Sequence, residues 1–522
     1  MLSVAVEIQD FRFSEEPKVR FTEPSELPKQ VLPHLNPWDH SICYINMRKA
    51  VLDPYHPAEI VLGCLDRATK VMDDAVKGKL NSDFEDEFPA YWMGGSILVD
   101  LPKGYNGKGY IHFGKLRTDE KEVGTLTTTK KTPLHIVRSN QKVSDKSVIT
   151  FECPVLHVNR RLTVNPDGDW PLRRLHDVIC WLEDTIPEAL PQLATMLQAP
   201  HRTARYIAIS GENAVLVIEI KIPRAFQSKE FAVTRQKQLP KHLINNAENI
   251  DIERYTGLSV DHEYLYQRNV GEMKNLQDIR ILQIGCGTIG GFLAQFLAQS
   301  GAGTGKNGKL HLIDNDILSP ANIGRHMLGY EWVTENKASA CKEHLSQQHP
   351  QSRILFDNKN ATKTFSHITR FDLIINATGD DAFSFALNDY CLELGHDAPP
   401  VLHSWLAGNG VAAQTYFKEP THSTCYRCIS TEISGYPRFK LLKEPPTEID
   451  DGVMACGDGA YTPFPVSRSA TAAGLALDAI LAWANGNPSP RFRTQILDQN
   501  KAYKVKSGNP APKKDCPACQ KI

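Results

Sequence analysis

Apolar positions along this 522-residue chain recur with two periods. Between Pro57 and Val76, the residues Val61, Cys64, Leu65, Ala68, Val71 and Met72 share one face of a 3.6-residue repeat. The spacing predicts a helix, with Pro57 in the tolerated first turn and Cys64 in the core. Leu175, Val178, Ile179 and Leu182 predict a second helix, and Ile289, Phe292, Leu293, Phe296 and Leu297 a third. The Ala-rich stretch from Ala470 to Trp483 predicts a fourth. Short apolar runs predict strands at Val4–Glu7, Val19–Phe21, Tyr110–Phe113, Val148–Glu152, Tyr206–Ile209 and Ala214–Ile222. The last two are joined through Gly211-Glu212-Asn213 as a hairpin.

Beyond residue 256 the pattern changes. Strands expected at 281–284, 310–313, 353–357, 372–376 and around 400–403 alternate with helical segments, which implies a mostly parallel sheet. Three regions follow: 1–105, 106–255 and 256–522. The middle one shows strands and a helix but no catalytic constellation, and reads as a connecting domain.

The densest chemistry lies in residues 281–337. An apolar strand, Ile281-Leu-Gln-Ile284, runs into a turn carrying Gly285, Gly287 and Gly290, and the turn opens a helix. Such glycines let backbone amides approach a phosphate, and a helix start favours negative charge. Asp314 ends the next strand, where a ribose-binding acid belongs. A glycine turn alone fits any dinucleotide site, including that of a nicotinamide oxidoreductase. The continuation is sharper: Asp316, then Asn322-Ile-Gly-Arg325, then Lys337. Attack on the α-phosphate of ATP needs cations to offset triphosphate charge and a carboxylate to hold Mg²⁺.

Net charge is −1 and no long basic run occurs, so bulk nucleic-acid binding is not expected. No apolar stretch is long enough to span a bilayer, and Met1–Asp10 lacks the pattern of a signal peptide, which together suggest a cytoplasmic protein. Of twelve cysteines, four form Cys425-Tyr-Arg-Cys428 and Cys516-Pro-Ala-Cys519. Two such turns can present four thiolates to one tetrahedral Zn²⁺, a closed structural site that ties the C-terminus back to the sheet domain. Cys456 lies in Met454-Ala-Cys-Gly-Asp-Gly-Ala-Tyr-Thr-Pro463, where small residues suit an accessible nucleophile; an inert loop cysteine is the alternative.

The order Asp-x-Asp, Asn-x-x-Arg, Lys, followed by the cysteine pairs and Cys456, resembles the adenylating domain of ubiquitin-activating enzymes and their relatives that activate sulfur-carrier proteins. The segment Pro33-His34-Leu-Asn36, with Cys43 shortly after it, is similar to the signature of ubiquitin-conjugating enzymes, although the usual tripeptide is permuted. The chain therefore resembles bacterial activating–conjugating fusions found near antiviral operons, including those of cyclic-oligonucleotide (CBASS) systems.

That resemblance implies a Rossmann-like α/β adenylating domain preceded by an α+β conjugating-like domain and an α+β linker domain. It implies adenylation of a protein's C-terminal carboxylate, that of a ubiquitin-like protein or of a CBASS nucleotidyltransferase. A thioester would form on Cys456, pass to Cys43 and end on a target lysine. Asn36 would donate to the oxyanion, and Arg325 and Lys337 would stabilise phosphate charge. An ungapped match puts Asp380 in the magnesium role. Arg268 matches an arginine supplied to a partner subunit's site, which requires a homodimer. Two further alternatives stand: a sulfur-carrier activator that does not need Cys43, and a non-catalytic scaffold.

Overall fold

The computed structural model of the chain describes residues 3–23, 27, 30–46, 50–115, 122–131, 148–168, 170–198, 203–227, 238–430, 438–444 and 463–520. The chain divides into two compact units, Met1–Asp261 and His262–Ile522.

The first unit begins with an antiparallel pair, β1 (Val4–Glu7) and β2 (Lys18–Phe21). The helix Pro57–Val76 has the bounds its amphipathic pattern predicts. It buries Cys64, Ala68, Met72 and Ala75 against Val19, Phe21, Ile42 and Tyr44. A second helix, Phe84–Trp92, buries Phe84, Phe88, Tyr91 and Trp92. The remaining strands are β3 (Gly95–Asp100), β4 (Gly107–Lys115), β5 (Glu122–Thr127), β6 (Ile149–His157), β7 (Ala204–Ser210), β8 (Val215–Lys221) and β9 (Ile252–Ser259). They close into a barrel in the order β3-β5-β4-β6-β7-β8-β9. β3, which falls in the first region by sequence, is thus a barrel strand that pairs with both β5 and β9.

The barrel has two apolar faces because side chains alternate along a strand. Tyr206, Ala208 and Val217 pack with Ile97, Ile111 and Leu126. Ile207, Ile209, Leu216 and Ile218 pack instead with the helix Leu175–Thr185 through Val178, Trp181 and Leu182. β7 and β8 form the hairpin expected from Gly211–Asn213, closed by a bond from the Gly211 N–H to the Ala214 carbonyl.

The second unit is an α/β layer. Its strands are β10 (Arg280–Ile284), β11 (Lys309–Ile313), β12 (Ile354–Asp357), β13 (Leu373–Asn376), β14 (Val401–Ala407), β15 (Ala412–Lys418) and β16 (Phe492–Ile496). The sheet order is β12-β11-β10-β13-β14-β15-β16. The first five strands are parallel, and β15 and β16 add antiparallel pairs. Helices Thr288–Gln299 and Val466–Ala484 pack together over β10 and β13–β15 through small residues: Ala294, Ala298, Ala472, Ala473 and Ala476 are all buried. β10 and β13 are neighbours at the centre of the parallel part, and the chain leaves β10 toward β11 and β12 on one side and β13 toward β14 on the other. That topological switch is where an open parallel sheet leaves a crevice beyond its carboxyl ends.

Candidate adenylation site and its cysteines

A cavity of about 850 Å³ lies at that switch point, lined by Gly285, Gly287, Asp314, Asp316, Asn322, Arg325, Lys337 and Asp380 among others. Eight residues singled out by sequence therefore meet in one place. The glycine turn is built for close approach. Gly285 sits at φ +93°, and a Cβ there would come within 2.8 Å of the Ala377 carbonyl carbon. Gly290 is packed beneath the turn, where a Cβ would meet the Gly285 oxygen at 2.0 Å. It shapes the turn and does not line the cavity. Gly287, at the start of the helix Thr288–Gln299, faces open space.

Two further buried side chains, Gln283 and His326, hold this turn. The Gln283 amide donates to the Gly285 and Gly290 carbonyls at 3.1 and 2.8 Å. The His326 Nε2 donates to the Cys286 carbonyl at 2.7 Å, and its Nδ1 accepts the Leu328 N–H at 3.0 Å. Burial lowers the His326 pKa, which keeps this neutral tautomer in place. His326 thus works on the loop backbone.

Asp314 accepts the Cys286 N–H at 2.7 Å and the Asp316 N–H at 2.8 Å. Burial raises its pKa, against these bonds. Lys337 is 12 % exposed and its Nζ lies 3.1 Å from the exposed Asp316 carboxylate. The backbone fixes the pair, because the Lys337 N–H also donates to the Asp316 carbonyl at 2.9 Å. Asn336 caps the helix Lys337–Gln348 by accepting the Ser339 N–H, and donates to the carbonyls of Asp314 and Asp316. The Asn322 amide oxygen accepts from Ser319, holding the turn before Arg325. Asp380 caps the helix Asp381–Leu394 by accepting the Phe383 N–H at 3.0 Å, and remains exposed at the cavity. Lys359, Asn360, Asp381, Trp405 and Phe464 also line it. Their only sequence signal is position, since Lys359 and Asn360 follow the end of a parallel strand.

The four cysteines Cys425, Cys428, Cys516 and Cys519 converge, with all sulfurs within 4.8 Å of one another. Three separations are 3.9 Å (Cys425–Cys428), 3.6 Å (Cys425–Cys516) and 3.5 Å (Cys428–Cys519). A tetrahedral zinc with Zn–S bonds of about 2.3 Å requires sulfur edges of about 3.8 Å. The donor set fits Zn²⁺, and 91 residues separate each bridged pair. Burial opposes ionisation of Cys516, but the N–H groups of Cys519 and Ala518 outweigh it and bring its thiol down to about 7.

In the first unit, residues 34–43 form a tight hairpin with an antiparallel bridge between Leu35 and Ile42. The Cys43 N–H donates to the His34 carbonyl at 2.8 Å, and the Asn36 N–H to the Ser41 carbonyl at 2.8 Å. His34, Asn36 and Cys43 are thus gathered by one turn. The Asn36 amide oxygen accepts the Trp38 N–H at 3.0 Å. Cys43 is exposed between buried Ile42 and Tyr44. Partial desolvation, then Glu87, Glu16 and Asp39, raise its thiol pKa. Arg268 is exposed and stacks on Tyr264, 5.0 Å from the ring, away from the cavity lining. Cys456 lies outside the described residues. Among the described residues no helix is long and apolar enough to cross a membrane.

Comparison with known proteins agrees with this division of chemistry. The model of the ThiF family matches residues 264–518, and that of Prokaryotic E2 family B matches residues 2–95. The chain is 31% identical to an ATP-dependent ubiquitin transferase-like protein Cap2 of Pseudomonas aeruginosa, over 98% of this chain and 90% of that protein. It is 26% identical to the protein of the same name from Vibrio cholerae, over 93% of this chain and 86% of the other. An Aedes aegypti adenylyltransferase and sulfurtransferase MOCS3 is 28% identical over 48% of this chain and 53% of its own. With a nucleotide cavity in one unit, a conjugating-enzyme match in the other and near-complete coverage at that identity, the chain belongs to the ATP-dependent ubiquitin transferase-like family of Cap2, a family of activating and conjugating enzymes.

Proposed function

We propose that the chain adenylates the C-terminal carboxylate of a ubiquitin-like protein or of a nucleotidyltransferase, relays the acyl group from Cys456 to Cys43, and attaches it to a target lysine in antiphage defence. The reading is carried by one observation: glycine-turn amides, two cations and the carboxylates Asp316 and Asp380 share one cavity. ATP would lie over Gly285–Gly287 with its ribose toward Asp314. Asp316 and Asp380 would hold Mg²⁺, which offsets triphosphate charge when bound. Arg325 and Lys337 offer fixed positive charge where negative charge shifts toward the leaving pyrophosphate.

The carboxylate oxygen attacks the α-phosphorus and pyrophosphate leaves. The Cys456 thiolate then attacks the acyl carbon and AMP leaves. Phe464, in the cavity wall, follows Cys456 by eight residues, a stretch that spans at most about 29 Å. The Cys43 thiolate takes the acyl group and frees Cys456. A lysine amine attacks the Cys43 thioester, Asn36 donates to the oxyanion, and the thiolate departs as the amine loses its proton. The carboxylates that disfavour the Cys43 thiolate also favour approach of a cationic acceptor, which supports a lysine. Exposed Arg268 would serve the second copy of a homodimer.

Intact-protein mass spectrometry with ATP, Mg²⁺ and candidate donors, with and without added thiol, tests the relay. A thiol-sensitive adduct of donor minus water, mapped to Cys456 and Cys43, is expected. AMP production without an adduct, in a chain whose Cys43→Ala variant behaves like wild type, would overturn it in favour of a sulfur-carrier activator.

A further inference from the structure

We infer that Tyr426 couples the four-cysteine cluster to the cavity, so that a metal held by the cysteines strengthens nucleotide binding there. The inference rests on the cavity being the ATP site. Tyr426 belongs to both places. It lies between Cys425 and Cys428, in the short helical turn Tyr426–Cys428, and it also lines the cavity. Its buried ring stacks on that of His403, with centroids 4.1 Å and planes 22° apart. Trp405 meets it edge-on at 5.8 Å, and its hydroxyl lies 3.5 Å from an Asp381 carboxylate oxygen. The Tyr426 N–H donates at 2.8 Å to the Asn388 Oδ1, on the helix Asp381–Leu394.

His403 carries the contact onward. It sits on β14 opposite Asn376 of β13. The buried Asn376 amide donates to the His403 Nδ1 at 3.2 Å and to the Ser384 Oγ at 2.8 Å. Burial pushes the His403 pKa down to about 3, which keeps the ring neutral and its Nδ1 an acceptor. The Asn376 oxygen accepts the Thr378 N–H and hydroxyl at 3.1 and 2.8 Å, and the Thr378 hydroxyl oxygen accepts the Asp380 N–H at 3.2 Å. A continuous set of contacts thus runs from the cysteine turn to Asp380. A turn whose two cysteines share one ion has little backbone freedom, and Tyr426 is held with it. Without the ion the thiols lose their common partner and the turn loosens. The ring then no longer braces His403 and the loop that carries Asp380. Coupling of this kind is reciprocal: metal tightens nucleotide by the factor by which nucleotide tightens metal.

The test measures the zinc affinity of the full chain by competition with a chromogenic chelator, with and without α,β-methylene ATP and Mg²⁺. Titration calorimetry establishes that the analogue is bound. In wild type the analogue should tighten zinc about tenfold. Tyr426→Phe keeps the stacked ring and should keep that factor. Tyr426→Leu should still bind zinc, with an affinity that the analogue no longer changes. His403→Leu removes the other half of the stack without touching the cysteine turn, and should lose the factor too. It decides the matter if Tyr426→Leu fails to hold zinc. Equal zinc affinity with and without bound analogue in wild type would overturn the inference. An undiminished factor in either leucine variant would do the same, leaving the ATP reading of the cavity intact. If calorimetry finds no binding of the analogue to wild type, the ATP reading falls first, and the inference with it.

Discussion

His34 accepts the main-chain N–H of Cys43 at 2.8 Å while Glu87 grips it twice, through the ring Nδ1 at 2.8 Å and the backbone N–H at 3.1 Å. Asp83 takes the other ring nitrogen at 2.9 Å. His34 adopts φ +62°, a left-handed conformation that a non-glycine residue holds only when its surroundings impose it. The helix Phe84–Trp92 and the turn before it thus fix the backbone that carries the exposed cysteine.

This clamp is pH-dependent in a defined direction. The bond with Glu87, with Asp83 adding to it and burial opposing, raises the His34 pKa to about 9. A group raised on folding contributes its full stabilisation below its unfolded pKa, near 6.5, and loses it as pH rises through the folded value. Thermal unfolding followed from pH 6 to 10 should therefore show a loss between about 6.5 and 9 that is absent in His34→Asn, a replacement that tolerates φ > 0. The difference should amount to at most about 2 kcal/mol after allowance for solvent screening. Parallel pH profiles of wild type and variant would refute the clamp.

Separate variants divide the proposed relay into steps. Cys456→Ala should still consume ATP to AMP-bound intermediate but form no thioester, and Cys43→Ala should accumulate thioester on Cys456 without transfer. Asn36→Ala should load Cys43 normally and discharge to lysine about 100-fold more slowly, the scale expected for loss of one oxyanion donor. Non-reducing gels of loading and of discharge onto free lysine give both rates. A loading defect equal to the discharge defect would make Asn36 a turn residue, because its oxygen also holds the hairpin tip.

The metal role proposed for Asp380 can be tested apart from the helix it caps. Asp380→Asn retains an oxygen for the Phe383 N–H and removes the charge. Adenylate formation with a candidate donor, followed as pyrophosphate release, should fall by at least about 100-fold, with a melting temperature within a few degrees of wild type. Excess Mg²⁺ should recover part of the rate. Near-normal release from Asp380→Asn would move the metal role to the adjacent Asp381, which lines the same cavity.

What the sequence disclosed follows from how local each signal is. The helix Pro57–Val76 was legible because its apolar stripe is continuous, and the parallel strands because they are short apolar runs that alternate with helical segments. The helix Phe84–Trp92 was not, since Pro89 interrupts its pattern and acids fill its first turn. Barrel closure was equally hidden: β3 pairs with β9 across about 160 residues, a long-range choice that no local window encodes. The same contrast holds at the site. Gly285 to Lys337 form a motif with fixed spacing, whereas Gln283 and Tyr426 act as single residues whose partners only the fold brings near.

The four-cysteine cluster supplies the last prediction. Each Cys-x-x-Cys turn holds two thiols that would repel as thiolates without a cation, and the C-terminal turn has only Cys516 fully buried. Besides the cysteines, the Lys513 N–H reaches the Cys428 sulfur at 3.4 Å, Thr424 donates to the Pro510 carbonyl and the Arg438 guanidinium to the Ala511 carbonyl. Metal binding should therefore supply much of the free energy that docks residues 510–519, since a site preformed only in the folded state converts binding into stability. The purified chain should carry one zinc by elemental mass spectrometry, and Cys516→Ser should carry none. Its melting temperature should drop by about 5–10 °C, consistent with a loss of a few kcal/mol in a unit of this size. Proteolysis should remove the C-terminal turn in Cys516→Ser before it cuts the sheet. Wild-type melting in a zinc-free Cys516→Ser variant would show that hydrogen bonds and packing hold the turn without the metal.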